Sequence, residues 1–281
     1  MASSGRPTMS DPAAPAARAG AVPTIQLLGI EVHAISEAGC VERIVEDVAA
    51  GRGGWVVTPN LDHLRRMVRE REFRELCSRA DLRVPDGMPL IWAAALQGTP
   101  LPERVAGSNL IWSLNRAAAE RGLCVFLLGG DPGTADQAAA VLRERFPGLQ
   151  VVGTHCPAPG FEKEPTRMQA LIDALELGAP QIVFVALGSP KQELLIEALR
   201  ARWPRAWWLG VGISFSFVTG AVRRAPVWMQ KLGIEWLHRL AQDPRRLFRR
   251  YVIDGLPFAF VLLTSSAWSR LSGRRASKPA N

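Results

Sequence analysis

Short apolar runs alternate with amphipathic stretches along most of the chain. Five stretches carry apolar residues at helical spacing: EAGCVERIVEDVAA, SNLIWSLNRAAAERG, TADQAAAVLRERFPG, TRMQALIDALELG and PKQELLIEALRARW. Seven others have the composition of buried strands: TIQLLGIEVHAI, GWVVTP, DLRVP, LCVFLLGG, LQVVGT, QIVFVALG and AWWLGVG. This alternation predicts an α/β fold in which a mostly parallel, Rossmann-like sheet is flanked by helices on both faces.

The pattern changes after residue 220, where apolar residues recur every four positions at Trp228, Leu232, Trp236 and Leu240. Arginines collect beyond this stripe, which predicts a basic amphipathic helical appendage suited to a membrane surface with anionic lipids. The alternative is a helix packed on the body with a solvated basic face. The apolar run LPFAFVLL at 256–263 is short for a membrane span and contains a proline, so we predict no transmembrane segment.

Charge and composition divide the chain in the same way. The net charge is +8, and residues 221–281 hold twelve basic residues against three acidic ones, so the rest of the chain is nearly neutral. We predict a disordered N-terminal segment (1–23), an α/β domain (24–220), the helical membrane-associating appendage (221–272) and a disordered tail (273–281). The aromatic residues are not interleaved with the arginines as a stacking platform, so no nucleic-acid partner is expected.

The four cysteines are widely spaced and form no CxxC pair. This spacing indicates neither a zinc site nor a disulfide framework, and it is typical of a reducing, cytoplasmic environment. His63 and His155 have no partners at ligand spacing, so we interpret each as a structural histidine and expect no metal site.

In parallel α/β sheets, ligands bind in the loops that follow the carboxyl ends of the strands. Five polar residues fall in these loops: Thr58, Asn60, Asp86, Lys191 and Gln192. Asp86 interrupts the apolar stretch ADLRVPDGMPLIWAAAL, and its structural alternative is a turn residue that caps the following helix. Lys191 likewise has the alternative of a solvated lysine at a helix start.

The turn GGDPG at 129–133 follows a buried strand and precedes a helix. Its glycines Gly129 and Gly130 could present backbone amides and a helix N-terminus to a phosphate. The spacing does not match GxGxxG, and a tight strand-to-helix turn explains the glycines equally well.

Seven motifs stand in unbroken order over residues 24–251: TPNLDHL, ADLRVPDGMPLIWAA, ERVAGSNL, FLLGGDPG, VALGSPKQE, RAPVWMQKLGIEWLHRL and PRRLFRRY. As a set they resemble the WecG/TagA/CpsF family of glycosyltransferases. The resemblance implies inverting, metal-independent and cofactor-free transfer of a sugar from a UDP-sugar to a lipid-diphosphate-linked saccharide. It also implies cell-surface polysaccharide or teichoic-acid-type biosynthesis by a peripheral protein on the inner face of the membrane, and leaves a homo-oligomer open.

The resemblance also assigns roles to individual residues. Asp86 matches the general base, which takes the proton of the attacking hydroxyl group, and Thr58 and Asn60 match positions that bind the sugar. Gln192 is expected near the diphosphate, and Arg104 is expected to orient an anionic or hydroxyl group. Three appendage arginines match positions that reach over the active site: Arg239, Arg246 and Arg249.

Two positions depart from the family pattern, because Asn109 and Ser216 stand where the family usually has acidic residues. The alternative function is therefore a catalytically inactive, membrane-associated scaffold of the same fold. A nucleotide-dependent oxidoreductase is disfavoured by the missing GxGxxG motif and by the lack of an acidic ribose partner after GGDPG.

Overall fold

The computed structural model describes residues 20–272, in which helices and strands alternate. The strands are β1 (Thr24–Leu27), β2 (Ile30–His33), β3 (Gly54–Val57), β4 (Leu82–Arg83), β5 (Cys124–Gly129), β6 (Gln150–His155), β7 (Ile182–Ala186) and β8 (Trp207–Gly210). The helices of the α/β domain are α1 (Glu37–Ala49), α2 (Leu61–Arg69), α3 (Arg71–Ser78), α4 (Met88–Gln97), α5 (Gly107–Arg121), α6 (Thr134–Arg145), α7 (Pro165–Gly178), α8 (Lys191–Leu199) and α9 (Ser214–Val218). The appendage contains α10 (Val227–Lys231), α11 (Glu235–Gln242), α12 (Pro244–Phe248), a π-helical turn (Arg249–Gly255) and α13 (Leu256–Leu271).

Within the described residues, six strands form one sheet in the order β4-β3-β8-β7-β5-β6, and every pair is parallel. The predicted α/β fold with a mostly parallel sheet is confirmed. Alternate residues of each strand pack on opposite faces: along β5, Val125 and Leu127 face α1, α5 and α6, whereas Phe126 and Leu128 face α2, α3, α4, α7 and α8. Both faces are therefore covered, as a parallel sheet requires.

The first strand candidate, TIQLLGIEVHAI, is not a strand of this sheet. It folds into an antiparallel hairpin of β1 and β2, with Leu27 paired to Ile30. Leu28 and Gly29 form the turn between them and have φ angles of 50° and 77°. Positive φ at both central residues is the geometry of a tight two-residue hairpin, so the run reverses where the apolar pattern predicted continuity.

The predicted stripe from Trp228 to Leu240 does not lie on one helix. Gly233, with a φ of 72°, ends the first helical segment, and α11 begins at Glu235. A Cβ atom at Gly233 would lie 2.6 Å from Met88 Cβ, so the turn approaches the start of α4 closely. Trp228 is exposed, and Trp236 instead packs edge-on against Tyr251.

The C-terminal part of the appendage is a continuous 28-residue helical run, Pro244–Leu271, long and apolar enough by length and composition to cross a membrane. The helical run is thus longer than the apolar stretch LPFAFVLL, and the absence of a transmembrane segment stays a prediction. Pro257 lies in the first turn of α13, directly after the π-helical turn, and the helical run continues through it. Phe258 and Leu262 are buried in the same hydrophobic cluster as residues of α4, on which α13 packs, so one face of α13 belongs to the core.

The predicted disordered segments fall largely outside the described residues, which leave out 1–19 and 273–281. Of the first segment, Pro23 lies beside β2, because its carbonyl oxygen accepts a hydrogen bond from Ala34 N–H at 2.7 Å. The division of the chain at residue 220 stays a prediction.

Substitution of Gly233 by alanine is expected to destabilise the protein more than substitution of Gly220. Both glycines have φ near +75°, but only a Cβ at Gly233 would collide with α4, whereas none lies within 4 Å at Gly220. We expect Gly233→Ala to lower the free energy of unfolding in urea by about 1–3 kcal/mol more than Gly220→Ala. Equal losses would contradict the close packing of this turn on α4.

Candidate functional site

Three loops at the carboxyl edge of the sheet are held side by side by backbone hydrogen bonds. Asp86 N–H donates to Pro59 O at 2.9 Å, which continues the β3–β4 pairing beyond the strands. Val105 N–H donates to Pro85 O at 2.8 Å and fixes the segment before α5 against the same loop. These loops carry four of the predicted site residues: Thr58, Asn60, Asp86 and Arg104.

Thr58 and Asn60 lie in the short loop between the end of β3 and the start of α2. Asn60 is the N-cap of α2, and its Oδ1 accepts hydrogen bonds from the backbone N–H groups of Asp62 and His63 at 3.0 and 3.1 Å. The cap engages the Asn60 oxygen and leaves its amide group for a ligand. Thr58 faces the first turn of α5, because a Cβ at Gly107 would lie 3.5 Å from Thr58 Oγ1. Glycine at position 107 thus permits α5 to approach this loop.

Asp86 does not cap a helix. Gly87 is the N-cap of α4, and no side chain makes a capping hydrogen bond there. Throughout residues 20–272, no group donates a hydrogen bond to the Asp86 carboxylate, although the residue is only partly exposed. The carboxylate is therefore available to a ligand at the edge of the sheet.

The charges around Asp86 shift the pKa of its carboxyl in opposite directions. Burial is the main influence and raises the pKa of the Asp86 carboxyl, while the positive charge of Arg104 lowers it. Glu235 raises this pKa, and His63 and Arg224 lower it. The net result is an Asp86 pKa above its ordinary value, because the arginines do not fully compensate for lost hydration.

The appendage reaches this site through Glu235. Arg104 Nη1 lies 3.0 Å from Glu235 Oε2, and Arg104 Nη2 donates to Gln230 Oε1 at 3.4 Å. Arg224 Nε lies 3.5 Å from Glu235 Oε1. The sequence predicted Arg104 but missed Arg224 and Glu235, which stand in the quoted motif RAPVWMQKLGIEWLHRL.

The predicted appendage arginines have other contacts in this structure. The Arg239 guanidinium lies 5.9 Å from the Phe217 ring centroid, and Arg246 Nε lies 2.5 Å from Asp243 Oδ2. Arg249 is 85% exposed in its side chain. The described contacts of Arg246 and Arg249 stay within the appendage, so substrate binding by these arginines stays a prediction.

Arg250 instead connects the appendage to α2. Its Nε lies 3.1 Å from Asp62 Oδ2, two residues beyond Asn60. Sequence reasoning missed this contact because Arg249 and Arg250 are adjacent in the chain. They make different contacts only because both lie in the π-helical turn, whose geometry is not evident from the sequence.

Gln192 lies between the carboxyl ends of β7 and β8 and is 5% exposed. Its Nε2 donates to Glu193 Oε1 at 2.9 Å, and its Oε1 accepts from Gly212 N–H at 3.1 Å. A Cβ at Gly210 would lie 2.5 Å from Gln192 Nε2, so glycine makes room for the amide. Contact of Gln192 with a ligand stays a prediction, and Lys191 is exposed.

A buried His–Glu pair lies behind these loops. His63 Nε2 is 3.5 Å from Glu193 Oε1, and Glu193 is 2% exposed. Burial acts to raise the pKa of Glu193, but His63 and Gln192 outweigh it and hold the pKa below its ordinary value. The interpretation of His63 as a structural histidine fits this pairing. Sequence reasoning missed Glu193 as the partner of His63, and the only available signal was that both residues lie in a first helical turn.

Packing accounts for the first two glycines of the GGDPG turn. Gly130 N–H donates to Ala186 O at 2.7 Å, so the sheet already engages this amide. A Cβ at Gly129 would lie 2.7 Å from Ala186 O, and one at Gly130 would lie 3.2 Å from Phe215. These contacts favour the tight-turn interpretation, and a phosphate ligand at Gly129 and Gly130 stays a prediction.

The two departures from the family pattern lie apart from Asp86 in their contacts. Asn109 Nδ2 donates to Glu37 Oε2 at 3.1 Å, an interaction that an aspartate at this position would replace by like-charge repulsion. Ser216 is 5% exposed within α9.

A protein-family model matches most of the chain. The sequence model described as Glycosyl transferase WecG/TagA/CpsF family matches residues 25–272. The matched range includes the α/β domain from β1 onward together with the appendage through α13.

Replacement of Asp86 by asparagine is expected to stabilise the protein at neutral pH. The pKa of Asp86 is raised in the folded state, so ionisation of this carboxyl destabilises the fold above that pKa. The gain in melting temperature for Asp86→Asn should therefore be full at pH 7 and shrink as the pH falls through the folded pKa toward the unfolded value. Thermal unfolding between pH 3.5 and 8 measures this.

Substitution of Asp81 provides a matched control, for which we expect the opposite change in melting temperature. Its Oδ2 accepts a hydrogen bond from Trp55 N–H at 3.0 Å, so Asp81→Asn removes a charged acceptor from a buried donor. We expect a lower melting temperature for Asp81→Asn at pH 7. A loss of stability in both variants would contradict the description of Asp86 as an unpartnered carboxylate.

Proposed function

The chain belongs to the WecG/TagA/CpsF family of glycosyltransferases, which act in polysaccharide biosynthesis, and we propose that it transfers a sugar with inversion from a UDP-sugar. The acceptor is a hydroxyl group of a lipid-diphosphate-linked saccharide. In this reaction the hydroxyl oxygen attacks the anomeric carbon from the side opposite to the diphosphate, and the bond to UDP breaks. A base must accept the hydroxyl proton as the new bond forms.

Asp86 is the proposed base, and its unpartnered carboxylate is the observation that carries the proposal. A general base must offer a free oxygen to the reacting hydroxyl group at hydrogen-bonding distance. No described group occupies the Asp86 oxygens, and burial raises the carboxyl pKa, which makes the carboxylate a stronger proton acceptor. Asp86 is also fixed by its backbone hydrogen bond to Pro59, so its position does not depend on the ligand.

The surrounding residues divide the remaining work. The Asn60 amide and the Thr58 hydroxyl, in the loop beside Asp86, would donate hydrogen bonds to the sugar. UDP departs with negative charge developing on its β-phosphate, and the guanidinium of Arg104 would stabilise that charge. Gln192 would hold the end of β8 at the diphosphate side of the site. Neither a metal ion nor a cofactor takes part in this proposal.

The inactive scaffold is favoured only by Asn109 and Ser216. Asn109 is engaged with Glu37, and Ser216 is buried, so neither substitution alters the described surroundings of Asp86. A partly buried carboxylate without a hydrogen-bond donor lowers stability. A scaffold has no need of such a group, whereas a base requires it, and this favours the enzyme.

The appendage is the proposed site of membrane association. Seven of the large apolar side chains described in it are at least 58% exposed: Val227, Trp228, Leu232, Ile253, Phe260, Trp268 and Leu271. We define them as the apolar edge. They stand on the same appendage as the exposed arginines, a combination that binds the interface of a bilayer containing anionic lipids.

We propose a peripheral protein on the cytoplasmic face, and the packing of α13 supports the peripheral position over a membrane span. Phe258 and Leu262 lie in the core with residues of α4, so part of the candidate span is already packed on the α/β domain. If α13 crossed the bilayer, these two side chains would leave the core and expose its apolar surface. A helix lying in the interface keeps this packing and inserts only its outer face.

The catalytic proposal is tested by UDP release from a panel of UDP-sugars with a short-chain prenyl-diphosphate saccharide. We expect Asp86→Asn to lower kcat by about 10²–10⁴-fold while the dissociation constant for UDP changes little. Asp131→Asn, which alters an exposed acid at the same edge of the sheet, is the matched control and should retain activity. Full activity of Asp86→Asn would refute the base, and no UDP binding by the wild type would favour the scaffold.

Membrane association is tested by glutamate substitutions on the apolar edge. The double variant Phe260→Glu/Trp268→Glu should weaken binding to anionic liposomes by at least about tenfold, because both side chains lose their transfer into the interface. Leu177→Glu on α7, at a position 91% exposed, is the control and should bind as the wild type. Equal binding by all three proteins would contradict the proposal.

These substitutions are preferable to deletion of the appendage. Truncation after Gly220 would remove Phe258 and Leu262 and uncover the core residues of α4, so a loss of membrane binding or activity would be confounded with a loss of stability.

A further inference from the structure

Two arginines from different elements share one carboxylate of the appendage. Arg104, from the segment before α5, faces Glu235 Oε2 at 3.0 Å, and Arg224, from the segment before α10, faces Glu235 Oε1 at 3.5 Å. Each oxygen of Glu235 therefore faces one guanidinium group. Both arginines also lie close enough to Asp86 to lower the pKa of its carboxyl, so the cluster adjoins the proposed base.

The Arg224 guanidinium is incompletely satisfied. Its Nη1 donates to Ser108 O at 3.4 Å, and its Nε and Nη2 are buried and donate no hydrogen bond to any residue that the structure describes. Hydrogen bonds between arginine and an anionic oxygen normally measure about 2.7–2.9 Å. Glu235 is thus too distant to satisfy Arg224, and the guanidinium retains unused donors in a place from which water is largely excluded.

A diphosphate group matches these unused donors better than a single carboxylate. It offers several anionic oxygens along its length, whereas Glu235 divides two oxygens between two arginines. Planar guanidinium groups bind phosphate oxygens through paired N–H donors. The shared carboxylate therefore stands where an anion with more oxygens would satisfy both arginines.

We propose that Arg224 and Arg104 form a clamp for the diphosphate group of a substrate, and that Glu235 holds the clamp until this diphosphate displaces it. The inference rests on the proposed function, in which both the sugar nucleotide and the lipid-linked acceptor carry a diphosphate. Because Glu235 belongs to α11, occupation of the clamp releases a contact between the appendage and the α/β domain. Substrate binding and the seating of the appendage are thereby coupled.

Opposite effects of two variants test the clamp. For binding of UDP, measured by calorimetry on the full chain, Arg224→Ala should weaken affinity by at least about tenfold. Glu235→Gln should tighten affinity, because it removes the competing charge while it preserves the side-chain shape. If Arg224 served only to anchor the appendage through Glu235, both variants would change affinity in the same direction.

Arg223→Ala is the matched control, because this exposed neighbour of Arg224 engages only its backbone oxygen in a described hydrogen bond. It should bind UDP as the wild type does. UMP, which lacks the second phosphate, should lose much less affinity in Arg224→Ala than UDP does. Arg224→Lys, which keeps the charge but loses the paired donors, serves if the alanine variant does not fold.

A second arm identifies the source of the diphosphate. A short-chain prenyl diphosphate is titrated against the same variants. If Arg224→Ala weakens the affinity for UDP and Glu235→Gln tightens it, the clamp binds the diphosphate of the donor. If the two variants change the affinity for the prenyl diphosphate in this way, the clamp binds the diphosphate of the acceptor. Wild-type affinity of both variants for both ligands would overturn the clamp but leave the proposed function standing. Absence of all UDP binding by the wild type would instead count against the proposed function.

Discussion

The hydrogen bond from Asp86 N–H to Pro59 O is the constraint on which the site depends. It extends the pairing of β3 and β4 beyond the last residues of the strands and sets Asp86 beside the loop that carries Thr58 and Asn60. The same bond engages the backbone of Asp86, and Gly87 begins the next helix without a side-chain cap. The carboxylate is thus held in place by the main chain and has no structural partner of its own.

A partly buried carboxylate without a hydrogen-bond donor lowers the stability of the fold, and the surrounding charges determine by how much. Burial raises the pKa of Asp86, two arginines and a histidine lower it, and Glu235 of the appendage raises it again. The appendage therefore contributes to the electrostatics of the α/β domain as well as to its surface. Its helix α13 also completes the core on α4 through Phe258 and Leu262. The proposed functions, membrane association and catalysis, therefore belong to the appendage and the α/β domain, which share one core and one network of charges.

Much of this organisation could be predicted from the sequence, because strand ends and helix starts are local signals. The parallel sheet follows from the alternation of strands and helices, and the positions of Thr58, Asn60 and Asp86 follow from where the strands end. The hairpin of β1 and β2 was missed because Leu28–Gly29 lacks the usual turn dipeptides. The interruption of the apolar stripe was missed because a single glycine, Gly233, is a weak signal within a periodic pattern.

Contacts between distant segments could not be predicted in this way. Glu235 meets Arg104 only because the turn at Gly233 lies against α4, and His63 meets Glu193 only because α2 and α8 begin at the same edge of the sheet. The resemblance to the family directed attention to Arg239, Arg246 and Arg249. Arg239 lies over Phe217 of the α/β domain, whereas the described contacts of Arg246 and Arg249 stay within the appendage. Arg224 and Arg250, which the resemblance did not single out, also contact the α/β domain. One-residue differences in helix phase decide such contacts, and apolar periodicity does not resolve them.

The most direct test of the central claim is the pH dependence of kcat/KM for wild type and Glu235→Gln. Activity should fall as the pH decreases through the pKa of Asp86, because a protonated carboxyl accepts no proton, and this acid limb should lie above the ordinary aspartate value of 3.8. Glu235 raises that pKa, so Glu235→Gln should move the limb to lower pH. An acid limb that stays in place in Glu235→Gln would contradict Asp86 as the titrating base.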